Sequence, residues 1–337
     1  MNQSISNFVF PLLWIFLFVA SCTSASNNSM EKNKKDLSEN IAKKDTTGIT
    51  KGALLLTRFN SLEELKQTID IKYFDGMSGA APMVHAAPYV RIIHRTNGQE
   101  VVSILQTGVS EKDILKAWTG TLWSKIWLGL NNPYLIINKR NLPRVFSLSR
   151  RRGWIFGEGD VAFYDLAEAM LHNITDSDMA MLSPRDSSEK GYINTFNHFN
   201  SQAFMTSIFS ERLADFIADT HERASMPELI TGDFTEEQIL DLENGPLDNY
   251  VDIINNEWGQ EVGKELREKY NINQQTHWTP TLLADYLNDI QIHYSWAFQI
   301  GFKPFKSTDQ LVVKFANKIN TVMEDTTGLR LKKKNKK

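Results

Sequence analysis

Two histidines, a glutamate, an aspartate and two asparagines are the residues of this 337-residue chain that could carry chemistry: His198, His221, Glu222, Asp252, Asn255 and Asn256. Two imidazoles and a carboxylate suffice to hold a divalent metal such as zinc and leave a position open for water. His198, His221 and Asp252 are the expected ligands. Glu222, next to His221, is then the expected general base, and Asn255 and Asn256 would orient ligands or donate to a developing oxyanion. The pair His221-Glu222 lacks the HExxH spacing that sets two ligands on one turn of helix, so a metal centre has to be assembled from separate elements. An inert reading stands beside this one, because buried His, Asp and Asn must find partners and a network of them can simply lock helices in register.

Those elements can be derived from spacing. His198 and His221 are 23 residues apart, about 34 Å along one straight helix, so the chain must double back if they share a site. Ser210-Glu211 offers the break, with Ser210 as N-cap of a second helix. Apolar stripes lie on both sides, Phe199, Ala203, Met205, Ile208 and Phe209 before it and Leu213, Phe216 and Ile217 after it. Asp252, Asn255, Asn256 and Gly259 fall at i, i+3, i+4 and i+7, one face of a third helix. Gly259 and Gly263 each weaken that helix by about 1 kcal/mol relative to Ala, which close approach of a neighbouring helix would explain. His172, His277 and His293 lie in apolar or aromatic contexts and are expected to be satisfied core histidines.

The three patches Asn194-Thr195-Phe196-Asn197-His198, Ala218-Asp219-Thr220-His221-Glu222-Arg223 and Asp248-Asn249-Tyr250-Val251-Asp252-Ile253-Ile254-Asn255-Asn256, the last followed by Glu257-Trp258-Gly259, together resemble a helical domain of unknown function found in secreted and polymorphic-toxin-like bacterial proteins. The resemblance covers about residues 155–270. It implies that these residues form one site and brings no established reaction with it.

The amino terminus reads as an address. Phe8 to Ala20 is an uncharged apolar run of 13 residues; a bilayer-spanning helix needs about 20 and a secretory signal core about 7–15. Val19-Ala20-Ser21-Cys22 resembles the lipobox of bacterial lipoproteins, and Cys22 is the only cysteine, which excludes an internal disulfide framework or a Cys-rich zinc site. The resemblance implies a signal peptide over 1–21, lipidation of Cys22 and a membrane anchor. Thr23 rather than Asp after the cysteine points to the outer membrane of the cell envelope. Residues 22–51 are a polar, Lys-rich linker.

The remainder is expected to be mainly α: a helical domain over 110–328, preceded over 52–109 by a small α+β segment with one β-hairpin, and followed by a basic tail over 329–337. Ala53–Thr57 reads as a short strand. Ser61 to Glu64 is a capping box that should open a helix of about ten residues. Tyr89–Arg95 and Glu100–Gln106 flank Asn97-Gly98, the preferred hairpin pair. Helix starts are expected at Ser110, Asp160, Thr235, Thr279-Pro280 and Ser307–Gln310, the last ending at Gly328.

Composition, 42% hydrophobic and 23% charged with a net charge of −3, excludes a wholly disordered chain and argues against a general nucleic-acid binder; no specific nucleic-acid motif is present. Charge is nevertheless segregated. Residues 114–157 hold eight basic residues and no acid, while 211–268 hold sixteen acids and four bases. The basic stretch is interleaved with Trp118, Trp123, Trp127 and Trp154, a pattern that can grip a polyanion. The plainer expectation is that Trp118, Trp123 and Trp127 mark a buried face and the arginines pair with the acidic half. Three functions thus compete: an envelope hydrolase centred on the His–Glu–Asp residues, a binding module recognising a polyanion through 114–157, and a toxin-like effector.

Overall fold

The computed structural model describes residues 52–75, 87–106, 114, 116, 117 and 119–324. Expectations for the signal, Cys22, the linker, the helix start at Ser110, Trp118, Gly328 and the basic tail lie outside these residues. Residues 50–337 form one compact unit, and the buried cluster runs through it without interruption from Leu54 to Val322.

The fold is mainly α, with a small antiparallel sheet ahead of the helices. A 3-10 turn (Leu56–Arg58) and α1 (Leu62–Leu65) lead into β1 (Ile69–Phe74), β2 (Tyr89–Thr96) and β3 (Gln99–Gln106), in the order β1-β2-β3. The β2–β3 hairpin turns at Asn97 and Gly98, both at positive φ (51° and 79°), as a tight two-residue turn demands. Two expectations for this segment fail. Ser61 does cap its helix, accepting from Glu64 N, but α1 has four residues because the chain is needed in β1. Ala53–Thr57 is not a strand: the backbone of Leu54 is taken by side chains. Asn255 Oδ1 accepts from Leu54 N at 2.7 Å, and Asn255 Nδ2 and Thr195 Oγ1 donate to Leu54 O. A side-chain amide thus does what a neighbouring strand would have done.

The helices follow in the order α2 (Leu122–Asn131), α3 (Pro133–Ile137), α4 (Asn141–Leu148), α5 (Gly153–Phe156), α6 (Phe163–Asn173), α7 (Asp176–Met179), a π-turn (Glu189–Ile193), α8 (Asn194–Ile208) and α9 (Glu211–Ser225). A 3-10 turn (Pro227–Ile230), α10 (Glu236–Leu240), α11 (Pro246–Lys269), α12 (Pro280–Phe298) and α13 (Gln310–Glu324) complete the chain. Thr235 and Thr279 cap α10 and α12 as expected, with Pro280 in the first turn. The start anticipated at Asp160 falls a little later, where Asp165 Oδ2 accepts from Ala162 N at the head of α6.

Helix α8 lies between two partners. Its aromatic side meets α12, with Phe196 against Tyr294 (centroids 4.3 Å apart) and Phe204 against Tyr286 (4.6 Å). Its other side meets α11 in parallel, so close that glycine is required. A Cβ on Gly259 would collide with the carbonyl oxygen of Phe199, and one on Gly263 would come within 2.6 Å of Ala203 O. The two glycines therefore set the spacing of the site-bearing helices. The opposite side of α11 receives the sheet: Trp258 covers Gly52 and donates from Nε1 to His94 Nδ1 at 2.9 Å, and Tyr250 and Tyr73 share a hydroxyl bond of 2.7 Å.

Two further expectations are corrected. His172 and His277 are exposed, and His172 Nδ1 meets its own helix at Glu168 O; among the three only His293 is buried. Trp123 and Trp127 do not form a buried face but are 76% and 70% exposed. Of the arginines, Arg151 pairs with Asp165 and Glu168, outside the acidic half.

Candidate metal centre

The site follows from the helical turn at Ser210. Helix α8 ends at Ile208, and Ser210 caps α9 by accepting from Leu213 N. The antiparallel hairpin returns Glu222 to His198, with Glu222 Oε1 3.8 Å from His198 Nδ1, and sets the two histidine rings 6.4 Å apart. Helix α11 supplies the third wall. His198 Nε2 is 3.3 Å from Asp252 Oδ2.

A polar stripe runs along the seam of α8 and α11. Lys190 Nζ donates to Asp248 Oδ2 (2.7 Å), Asn194 Nδ2 to Asp252 Oδ1 (2.8 Å), His198 Nδ1 meets Asn256 Oδ1 (3.1 Å), and Gln202 Oε1 accepts from Gln260 Nε2 (3.2 Å). Each partner lies 58 residues after its mate, the signature of two parallel helices in register at every fourth residue.

The stripe also orients the donors. The side-chain amide of Asn256 serves both His198 and Glu222. With its nitrogen turned to the carboxyl, its oxygen faces His198, so Nδ1 carries the proton and Nε2 is left bare toward Asp252. Asn194 holds Oδ1 of Asp252 and leaves Oδ2 toward the imidazole. Outer groups that set the tautomer of a histidine and the direction of a carboxylate are what a metal centre needs.

One donor atom each from His198, Glu222 and Asp252 lies within 4.8 Å of the other two. Two ligands on a tetrahedral zinc sit about 3.4 Å apart, close to the His198–Asp252 separation. Glu222 is 3% exposed, and its Oε1 has no hydrogen-bond partner. An orphaned carboxylate oxygen at such depth is costly unless a cation or proton satisfies it.

Electrostatics point the same way. Burial, reinforced by the charges of Asp252 and Asp248, pushes Glu222 well above the usual carboxylate range. Burial alone raises Asp252 to about 7, and burial with the Asp252 charge raises Asp248 to about 6. Burial lowers His198, which keeps its imidazole neutral and able to ligate. Three carboxylates face one lysine, so the cluster must bind protons or a cation.

The structure redistributes the expected roles. Adjacent residues on a helix diverge by about 100°, so His221 and Glu222 cannot both point inward. Glu222 enters the donor set, and His221 stays exposed at the rim, outside the close triad. Asn255 points the other way, onto Leu54, and is fully buried there; it ties the amino-terminal segment to α11 and does not face the donors. Asn256 belongs to the site. Asn194 and Asp248, from the first and third patches, join it as well, and Lys190 is an addition; Lys190-x3-Asn194-x3-His198-x3-Gln202 and Asp248-x3-Asp252-x3-Asn256-x3-Gln260 are visible as matched polar stripes in the sequence.

No family model matches the chain, and no curated protein or solved structure matches it.

Proposed function

We propose that this is a lipid-anchored protein of the bacterial envelope whose helical domain is a metal-dependent hydrolase. His198, Glu222 and Asp252 would hold one divalent cation, zinc being the ion best suited to an imidazole with two carboxylates. A cation held there would supply an activated water for hydrolysis of an ester or phosphoester. His221, at the solvent side, carries the proton, Asn256 and Asn194 hold the ligands in place, and Lys190 neutralises Asp248 beside them. The observation that carries this reading is the buried Glu222 Oε1, which makes no hydrogen bond, in a triad whose other members are each oriented by an asparagine.

Metal analysis and calorimetric titration of residues 50–337 test it. The expected result is about one equivalent of tightly bound zinc or manganese, with hydrolysis of chromogenic ester or phosphodiester probes abolished by chelation. Less than about a tenth of an equivalent, with no heat on adding metal, would mean that the cluster is a proton-bound structural network.

The anchoring half of the proposal rests on Val19-Ala20-Ser21-Cys22 and is tested separately. Labelled fatty acid should enter the full chain and be lost in Cys22→Ser, and the protein should fractionate with the outer membrane. Among the described residues no helix is long and apolar enough to cross a membrane.

A further inference from the structure

Helix α2 is amphipathic the wrong way round for a surface helix. At about 100° per residue, Leu122, Ile126, Leu130, Trp123 and Trp127 fall in one arc of about 140°. Four of them are exposed by more than half (Leu122 64%, Trp123 76%, Trp127 70%, Leu130 56%). Leu128, on the opposite side, packs on the core, and Gly129, at the edge of the arc, abuts Ile136 of α3. The apolar arc therefore points to solvent, and Ile137 at the end of α3 is 77% exposed as well. Burying these side chains would be favourable, so an apolar medium outside the chain is the natural complement.

Charge selects which medium. Lys125 on α2 and Lys139 and Arg140 just after α3 are exposed, and residues 114–157 contain no acid. Two exposed tryptophans between aliphatics, on a segment with exposed cations and no acid, suit the boundary between acyl chains and anionic headgroups. A nucleic acid would satisfy the cations and stack on the tryptophans but leave Leu122, Leu130 and Ile137 without a partner. Two copies meeting through this face would set cation against cation.

We infer that α2 and α3 form a membrane-docking face that inserts Leu122, Trp123, Trp127 and Leu130 into the headgroup region of an anionic bilayer while Lys125, Lys139 and Arg140 bind lipid phosphates. This inference is independent of both the metal centre and the Cys22 anchor.

Residues 50–337, which carry the whole described core and lack Cys22, serve for the test. Co-sedimentation with vesicles of phosphatidylglycerol and phosphatidylcholine is compared with phosphatidylcholine alone. Binding should favour the anionic vesicles, weaken as salt is raised, and shift tryptophan emission to the blue. Trp123→Ser with Trp127→Ser should reduce binding by about tenfold or more, and Lys125→Glu with Lys139→Glu and Arg140→Glu should abolish the anionic preference. These positions are exposed, so an unchanged circular dichroism spectrum is expected and verifies the fold. Three results would overturn the inference: no binding to anionic vesicles, equal binding by the tryptophan variant, or a dimer or RNA complex that the tryptophan variant loses while vesicle binding is absent.

Discussion

His198 Nδ1 and Asn256 Oδ1 stand 3.1 Å apart across the seam of α8 and α11, and this contact decides which imidazole nitrogen is available. With Nδ1 protonated toward the amide, Nε2 is presented to Asp252 Oδ2 at 3.3 Å. The pairing needs no metal to form, so the donor arrangement is built into the folded chain.

Asn256→Ala removes the group that sets this tautomer and frees the Glu222 carboxyl as well. Metal affinity should fall by about 10–100-fold, the usual effect of losing such an orienting partner. Calorimetric titration reads the affinity. A thermal melt should show a loss of about 1–3 kcal/mol from the unpaired buried groups.

The same carboxylates make stability depend on pH. Asp252 is raised to about 7 in the folded protein and would titrate near 4 when unfolded. Below about pH 4 it is protonated in both states and imposes no penalty; between about 4 and 7 the folded state holds the extra proton, so stability contributed by this group falls as pH rises. Glu222, raised in the same direction by burial and by the charges of Asp252 and Asp248, adds to the loss. The metal-free protein should therefore melt lower at about pH 8 than at about pH 6, and added zinc should reverse the trend because the cation replaces the protons. Asp252→Asn should raise the metal-free melting temperature at about pH 8 by several degrees and abolish the zinc response. Melts over this range with chelator and with zinc check both signs.

Gly259→Ala separates helix propensity from packing. In an isolated helix the change would stabilise by about 1 kcal/mol. Here the new methyl meets the Phe199 carbonyl, so α8 and α11 must part along the seam that carries His198 and Asp252. A net destabilisation of about 3 kcal/mol or more is expected, with metal binding weakened in whatever protein still folds. Denaturant titration measures the first effect and calorimetry the second.

The mainly helical class, the turn at Ser210, the Asn97-Gly98 hairpin and the close approach at Gly259 and Gly263 were all readable, because each depends on local spacing or on one residue type with one conformational use. The strand expected at Ala53–Thr57 failed because its polar partner, Asn255, lies 201 residues away. Local pattern cannot distinguish a backbone paired by a strand from one paired by a distant side chain. At the candidate site the expected hairpin does bring His198, Glu222, Asp252 and Asn256 together, but which side chains face one another could not be read from spacing. That His221 faces solvent follows from the roll of α9 against its neighbours. The exposed tryptophans of α2 were misassigned for a related reason: apolar spacing reveals that a helix has a face, while burial depends on which side the fold leaves open.

His221 provides the sharpest separation between binding and turnover. It neighbours Glu222 in sequence, yet lies outside the triad within 4.8 Å of which the other donors meet, and its ring is 6.4 Å from that of His198. If it moves a proton for a metal-activated water, His221→Gln should leave zinc stoichiometry and affinity unchanged. It should lower kcat by about 10²–10⁴-fold and remove one limb of the pH–rate profile. Glu222→Gln should instead lower metal affinity directly, because it changes a donor and neutralises a buried charge. If His221 were a ligand, both variants would lose metal together; if the cluster were only structural, neither would alter any rate. Paired calorimetry and kinetics on the two variants therefore assign each residue its role, and the exposure of His221 makes its substitution tolerable to the fold.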